Sequence, residues 1–169
     1  MPRNIAQLFL QHLAQPERIL YRHCVDGIWT DVSAGAIAAE AGRWQAAFRR
    51  SRFVPGDRIA LCARNGVDWV AVDLAALGLG LVVVPLYVDD NPDNVAWCVA
   101  KAEALLLVVE SARLATSLAR CATSGQPLPP VVVLHPEGGA TLPDAIAAGD
   151  FLPATGPAMA AVDLPDDAL

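Results

Sequence analysis

Lysine is almost missing from this chain: Lys101 is the only one in 169 residues, so arginine carries nearly all the positive charge. Lys and Arg together number 12 against 18 Asp and Glu, leaving a formal charge of −6. Such a balance argues against a nucleic-acid-binding surface. The one cationic run, Arg49, Arg50 and Arg52, falls at the end of an expected helix. Cations suit that place because of the helix dipole and the unpaired carbonyls. Cysteine is sparse and scattered: Cys24, Cys62, Cys98 and Cys121 include no Cys-x-x-Cys pair. That excludes zinc-type spacing and gives no disulfide framework. Cys62 and Cys98 lie in apolar runs and read as small core residues. His12, His23 and His135 fall in three different elements. His23 and Cys24 are neighbours, but adjacent strand residues point to opposite faces and cannot share a metal. No apolar run is long enough to span a bilayer, since the uncharged stretch Leu74 to Val88 contains Gly78, Gly80 and Pro85. Met1 to Gln15 is amphipathic and lacks the charged stub and apolar core of a secretion signal. A cytoplasmic location is the expectation.

What the chain has in quantity is apolar residue, 54% of the total and much of it alanine. At this length one domain can bury about two-thirds of its unfolded surface. Ile5, Leu8, Phe9 and Leu13 have the spacing of a short helix. Ile19 to Arg22 and Ile28 to Val32 read as strands joined across Asp26-Gly27, a strong hairpin signal. Ser33 suits the N-cap of a helix whose inward stripe is Ile37, Ala41, Trp44 and Phe48. Pro55-Gly56 is a turn, and Arg58 to Ala63 a short buried strand broken by Asn65-Gly66. Val67 to Leu77 has helical spacing, with Asp68 in the first turn and Trp69 or Val70, Leu74 and Leu77 inward. Gly78 and Gly80 stop that helix before the strand Leu81 to Pro85. Strand, helix and strand in so short a space form a parallel βαβ unit. Asn91 and Pro92 then start a helix that turns Val95, Val99 and Ala102 inward. Leu105 to Val109, Ala112 to Ala122 and Val131 to Leu134 read as strand, helix and strand. Gln126 to Pro130 and His135 to Gly139 read as loops. The expected fold is α/β, a mostly parallel sheet flanked by helices and preceded by a small hairpin. Residues 1–152 make its body; 153–169, rich in Pro, Ala, Gly and Asp, read as a linker-like tail.

The order Pro55-Gly56-Asp57-Arg58-Ile59-Ala60, then Asn65, an apolar helix and Val84-Pro85-Leu86-Tyr87, resembles the N-terminal part of the adenylate-forming, AMP-binding enzymes. These include the acyl-CoA synthetases, the luciferases and the peptide-synthetase adenylation domains. Tyr21-Arg22, Gly27-Ile28-Trp29, the helix from Ser33, the Asn91-Pro92 helix and the strand Leu105 to Val109 are similar to the same family. The likeness is fullest over residues 17 to 112. Val84-Pro85-Leu86-Tyr87 is most similar to the long-chain fatty acid branch.

The resemblance implies that Val162 to Leu169 lies just before the Thr/Ser/Gly-rich loop that holds the ATP phosphates. The 169 residues do not contain that loop. Thr123-Ser124-Gly125 imitates its opening, but it continues Gln126-Pro127-Leu128-Pro129-Pro130. A phosphate cradle needs successive backbone N–H groups and further glycines, and prolines remove donors. Asp89 and Asp90 follow a strand, where open α/β sheets bind ligands. They can be read as a metal or acid/base pair, or more simply as solvated charges before a helix. Asp89 also stands about where many family members carry an arginine that holds the coenzyme A phosphate, which puts that contact in doubt.

The implied reading is the front part of an AMP-forming acyl-CoA synthetase with a fatty acid as substrate. No catalytic or metal-binding residue is assigned within the chain, and no cofactor-binding residue is identified. ATP, Mg2+ and CoA serve the whole enzyme and are not expected to bind tightly to this segment. The partners are then the remainder of the enzyme, a carboxylic acid substrate, and other copies of the chain through uncovered apolar surface. Two alternatives stay open: an adenylation domain serving another acceptor, such as a carrier-protein thiol, and a free-standing, non-catalytic α/β binding module.

Overall fold

The computed structural model describes residues 4–122, 127–136 and 144–163. Its contacts divide the chain into two compact units, Met1–Pro55 with Asn65–Leu81 and Pro153–Leu169, and Gly56–Arg64 with Val82–Leu152.

The first unit is a set of helices with a hairpin. Asn4 caps α1 (Ile5–Leu10), and a 3-10 turn, Gln11–Ala14, continues it. The helix turns Ala6 and Phe9 inward, whereas Ile5 and Leu8 face out. Its spacing therefore identifies the helix but not the buried side. β1 (Ile19–Val25) and β2 (Ile28–Ser33) pair antiparallel. Asp26 and Gly27 join them with φ of 50° and 80°, the left-handed pair that a two-residue hairpin demands. Ser33 Oγ accepts the Ala36 N–H at 3.2 Å and so caps α2 (Ala34–Arg50). All four residues of the expected stripe, Ile37, Ala41, Trp44 and Phe48, are buried. The Trp44 and Phe48 rings lie 5.6 Å apart, and Phe53 meets Phe48 edge-on at 5.8 Å. α3 (Val67–Gly78) buries Ala71, Val72, Leu74 and Ala75. Trp69, Val70 and Leu77 are only half-buried.

The second unit is built on five strands: β3 (Arg58–Cys62), β4 (Val82–Leu86), β5 (Leu106–Ser111), β6 (Val131–His135) and β7 (Ala145–Ala147). They form one parallel sheet in the order β4-β3-β5-β6-β7. Arg58 pairs with Val82 in parallel register, as the βαβ reading requires. Pro85, which cannot donate to a ladder, lies in an edge strand where that loss is tolerated. α4 (Pro92–Lys101) and α5 (Ala112–Cys121) lay Val95, Val99, Ala115 and Leu118 on one sheet face. Ala60, Cys62, Leu107, Val109, Val131 and Val133 alternate along their strands to form that face. The expected inward Ala102 is instead the half-buried C-cap of α4. A short helix, α6 (Ala148–Phe151), follows β7. Neither β7 nor α6 is marked in the sequence, because Ala-rich text without periodicity carries no signal for them.

Candidate functional site

In the parallel sheet the chain passes from β3 outward to β4 and then returns to the other side of β3 to form β5. Strand order therefore reverses between β3 and β5, and open α/β sheets bind ligands beyond the carboxyl ends of the strands at such a point. Three short sequences converge there. Arg64 follows β3, Val88 and Asp89 follow β4, and Glu110-Ser111 ends β5. They line a cleft of about 470 Å³ that also takes Arg113 and Ser117 from α5.

Charge in this cleft is largely self-compensated. Arg64 donates from Nη1 to Glu110 Oε2 at 2.9 Å and from Nη2 to Asp89 Oδ1 at 3.1 Å. One guanidinium thus joins the ends of three strands, although its exposure makes these pairs worth little in stability. Arg113 is exposed and has no ion-pair partner among the described residues. Asp90 Oδ1 accepts the Asn91 N–H at 2.7 Å, and Asn91 Oδ1 accepts the Asp93 N–H at 3.0 Å. Ser111 Oγ likewise accepts the Leu114 N–H, at 3.3 Å. Asp90, Asn91 and Ser111 are therefore engaged in starting α4 and α5. Beneath the cleft, the Cys62 thiol points at the Tyr87 carbonyl, 3.6 Å away. Burial pushes its pKa up to about 11, and the charges of Glu110 and Asp90 add to the effect. A thiol so held stays protonated and is no nucleophile at neutral pH.

Asp89 and Asp90 do lie at the carboxyl edge. Asp89 pairs with Arg64, and Asp90 accepts the Asn91 N–H at the start of α4. Among the described residues no group of three or more His, Cys, Asp and Glu side chains could hold a metal ion. His12 packs edge-on against Phe9, with ring centres 6.4 Å apart. Thr123-Ser124-Gly125 and the end of the tail, residues 164–169, lie outside the described residues. Sequence reasoning does not single out Arg64, Glu110, Ser111 or Arg113. Their only signal is position: each ends or follows a strand, or opens the helix after it.

A second cleft, of about 460 Å³, belongs to the helical unit. Tyr21, Arg22 and His23 of β1 face Gly66, Trp69 and Val70 across it. Arg22 is tied to Asp31 at 2.8 Å, and the lining is mostly apolar.

The AMP-binding enzyme family matches residues 11–166, nearly the whole chain. The chain belongs to the AMP-binding enzyme family. A curated relative, the long-chain-fatty-acid–CoA ligase FadD15 of Mycobacterium tuberculosis, is 28% identical over 122 residues. That match takes in 72% of this chain and 20% of the relative. A benzoate CoA ligase from Burkholderia xenovorans superposes with a TM-score of 0.74 at 20% identity, over 95% of this chain and 30% of that one. The anthranilate CoA ligase AuaEII, solved with anthranoyl-AMP, gives 0.75 at 15% identity over 89% and 28%. At these identities the likeness to the solved structures is one of fold: the α/β architecture with its parallel sheet is that of part of an AMP-binding enzyme.

Proposed function

We propose that this chain is the N-terminal segment of an AMP-forming acyl-CoA ligase whose substrate is a fatty acid. The observation that carries the reading is the family match along nearly the whole chain. The long-chain-fatty-acid name of the curated relatives supports the substrate class. A carboxylate is a poor acyl donor, because its charge repels nucleophiles and oxide is a bad leaving group. Attack on the α-phosphate of ATP gives an acyl adenylate and pyrophosphate, and the thiol of CoA then displaces AMP. Such a site must clamp phosphate charge electrostatically, with Mg2+ sharing the task. The residues here do not fit that clamp. Arg64 is already neutralised by Asp89 and Glu110, and Asp89 would repel a phosphate. The clamp would belong to the remainder of the enzyme, and this segment would supply scaffold. A cytoplasmic location and self-association of the isolated segment belong to the same reading. The alternative acceptor, a carrier-protein thiol, leaves the first half-reaction unchanged.

Pyrophosphate exchange tests it. The 169-residue chain should stay at background with ATP, Mg2+ and a fatty acid panel, while a chain extended through its downstream coding sequence should exchange with fatty acid present. Robust carboxylate-dependent exchange by the short chain would overturn the reading. So would a stop codon directly after Leu169, which favours a non-catalytic module.

A further inference from the structure

Residues Pro153 to Asp163 form no helix or strand and are exposed along most of their length, yet the first unit holds them at closely spaced points. Gln45, the buried polar side chain of α2, reads both backbone groups of one residue. Its Nε2 donates to the Ala160 carbonyl at 2.7 Å, and its Oε1 accepts the Ala160 N–H at 3.0 Å. The Val162 N–H donates to the Gly78 carbonyl at 2.8 Å, and Asn4 Nδ2 donates to the Val162 carbonyl at 3.2 Å. At the other end Arg43 Nε donates to the Pro153 carbonyl at 2.8 Å. Two helix positions under the segment are glycine because the backbone comes too close for anything larger. A Cβ on Gly42 would meet the Pro157 carbonyl; one on Gly78 would meet the Gln45 amide and the Ala160 carbonyl. Met159 is the one buried side chain of the segment.

These contacts are nearly all to main-chain atoms. Hydrogen bonds traded against water return little net stability, and ordering a segment without regular structure costs entropy at every residue. The helices beneath are stabilised differently, by Trp44, Phe48 and the apolar stripe. Segments with few buried apolar contacts open below the free energy of global unfolding. We infer that Pro153–Asp163 is a detachable strap, closed by the Gln45 clasp, that opens as one unit while α1, α2 and α3 stay folded. This inference does not rest on the ligase reading.

Hydrogen exchange on the intact chain tests it. The Ala160 and Val162 amides should exchange together, and faster than the Ala47 and Phe48 amides of α2. Gln45→Met keeps the volume and removes the clasp, together with the Gln45 Nε2 bond to the Ala75 carbonyl of α3 at 3.3 Å, so it should speed the strap amides by about tenfold or more and those of α2 far less. Gly156→Ala is the second variant. A Cβ there meets the backbone at Gly42 and Arg43, so it should loosen the strap without altering a buried helix side chain. Equal protection of strap and α2 in the wild type, or equal acceleration of both in the two variants, would overturn the inference.

Discussion

At one residue's scale, Cys62 and Cys24 differ in their access to solvent. Cys62 is buried, with its pKa pushed up to about 11, whereas Cys24 is exposed on the hairpin. An alkylating reagent at neutral pH should therefore label Cys24 first and reach Cys62 only after denaturation, as peptide mass spectrometry would read. Equal native labelling of the two would contradict the burial of Cys62. Asp73 offers a second test. It sits half-buried in α3, and burial raises its carboxyl pKa above the ordinary 3.8. The folded chain then holds that proton more tightly than the unfolded chain does. Its stabilising contribution is full below 3.8 and is lost as pH rises through the folded value. Asp73→Asn should raise the urea midpoint at pH 7, by an amount that shrinks to nothing in acid. A variant less stable than the wild type at pH 7 would mean that the ionised carboxylate has a favourable partner.

At the scale of elements, three helices stop in the same manner. Arg52, Gly80 and Glu103 have φ of 64°, 74° and 51°. Just beyond each, an N–H reaches back to the helix: Phe53 to Phe48, Leu81 to Ala76 and Ala104 to Val99. This is the Schellman arrangement, in which glycine avoids a steric cost that other residues bear. Gly80→Ala should cost about 1 kcal/mol, and Arg52→Gly should gain about as much, both read from denaturant midpoints. Glu103 also pairs with Arg58 at 3.0 Å, so its replacement would mix two effects. The sequence announces the stop only where glycine fills the place; Arg52 and Glu103 are silent. The same distinction governs what else was legible. Asp26-Gly27, Ser33 and Asn91-Pro92 act on backbone within three residues of themselves, so the hairpin and two helix starts could be read directly. β7 exists because it pairs with β6, and Pro153–Asp163 is placed by Gln45 and two glycines far away in sequence. Long-range contacts of that kind leave no local periodicity. The candidate site was half legible for the same reason: Asp89 and Asp90 are marked by the strand before them, but the link from Asp89 to Glu110 through Arg64 needs the strand order.

Over the whole molecule, several large apolar side chains remain exposed to water. Ile28 and Trp29 on the hairpin are 69% and 66% exposed, and Tyr87 and Trp97 of the second unit are 81% and 60% exposed. The hairpin is a sheet of two strands, and β4 and β7 are the edges of the parallel sheet among the described residues. Pro85 blunts β4, but nothing comparable stands in β7, where Ile146 is exposed. Open edges recruit strands, and exposed aromatic surface gains about 25 cal/mol for each Å² that it buries. A charge of −6 slows encounter, yet salt screens it at about 10 Å in 0.1 M. The isolated chain should therefore self-associate, and more strongly as salt rises, which light scattering across concentration and ionic strength would read. Trp29→Ser combined with Ile28→Thr should weaken association, because both side chains are already exposed and their loss removes little from the fold. A chain that stays monomeric at high concentration and binds no dye specific for apolar surface would contradict the prediction. That result would favour the self-contained binding module over the ligase segment.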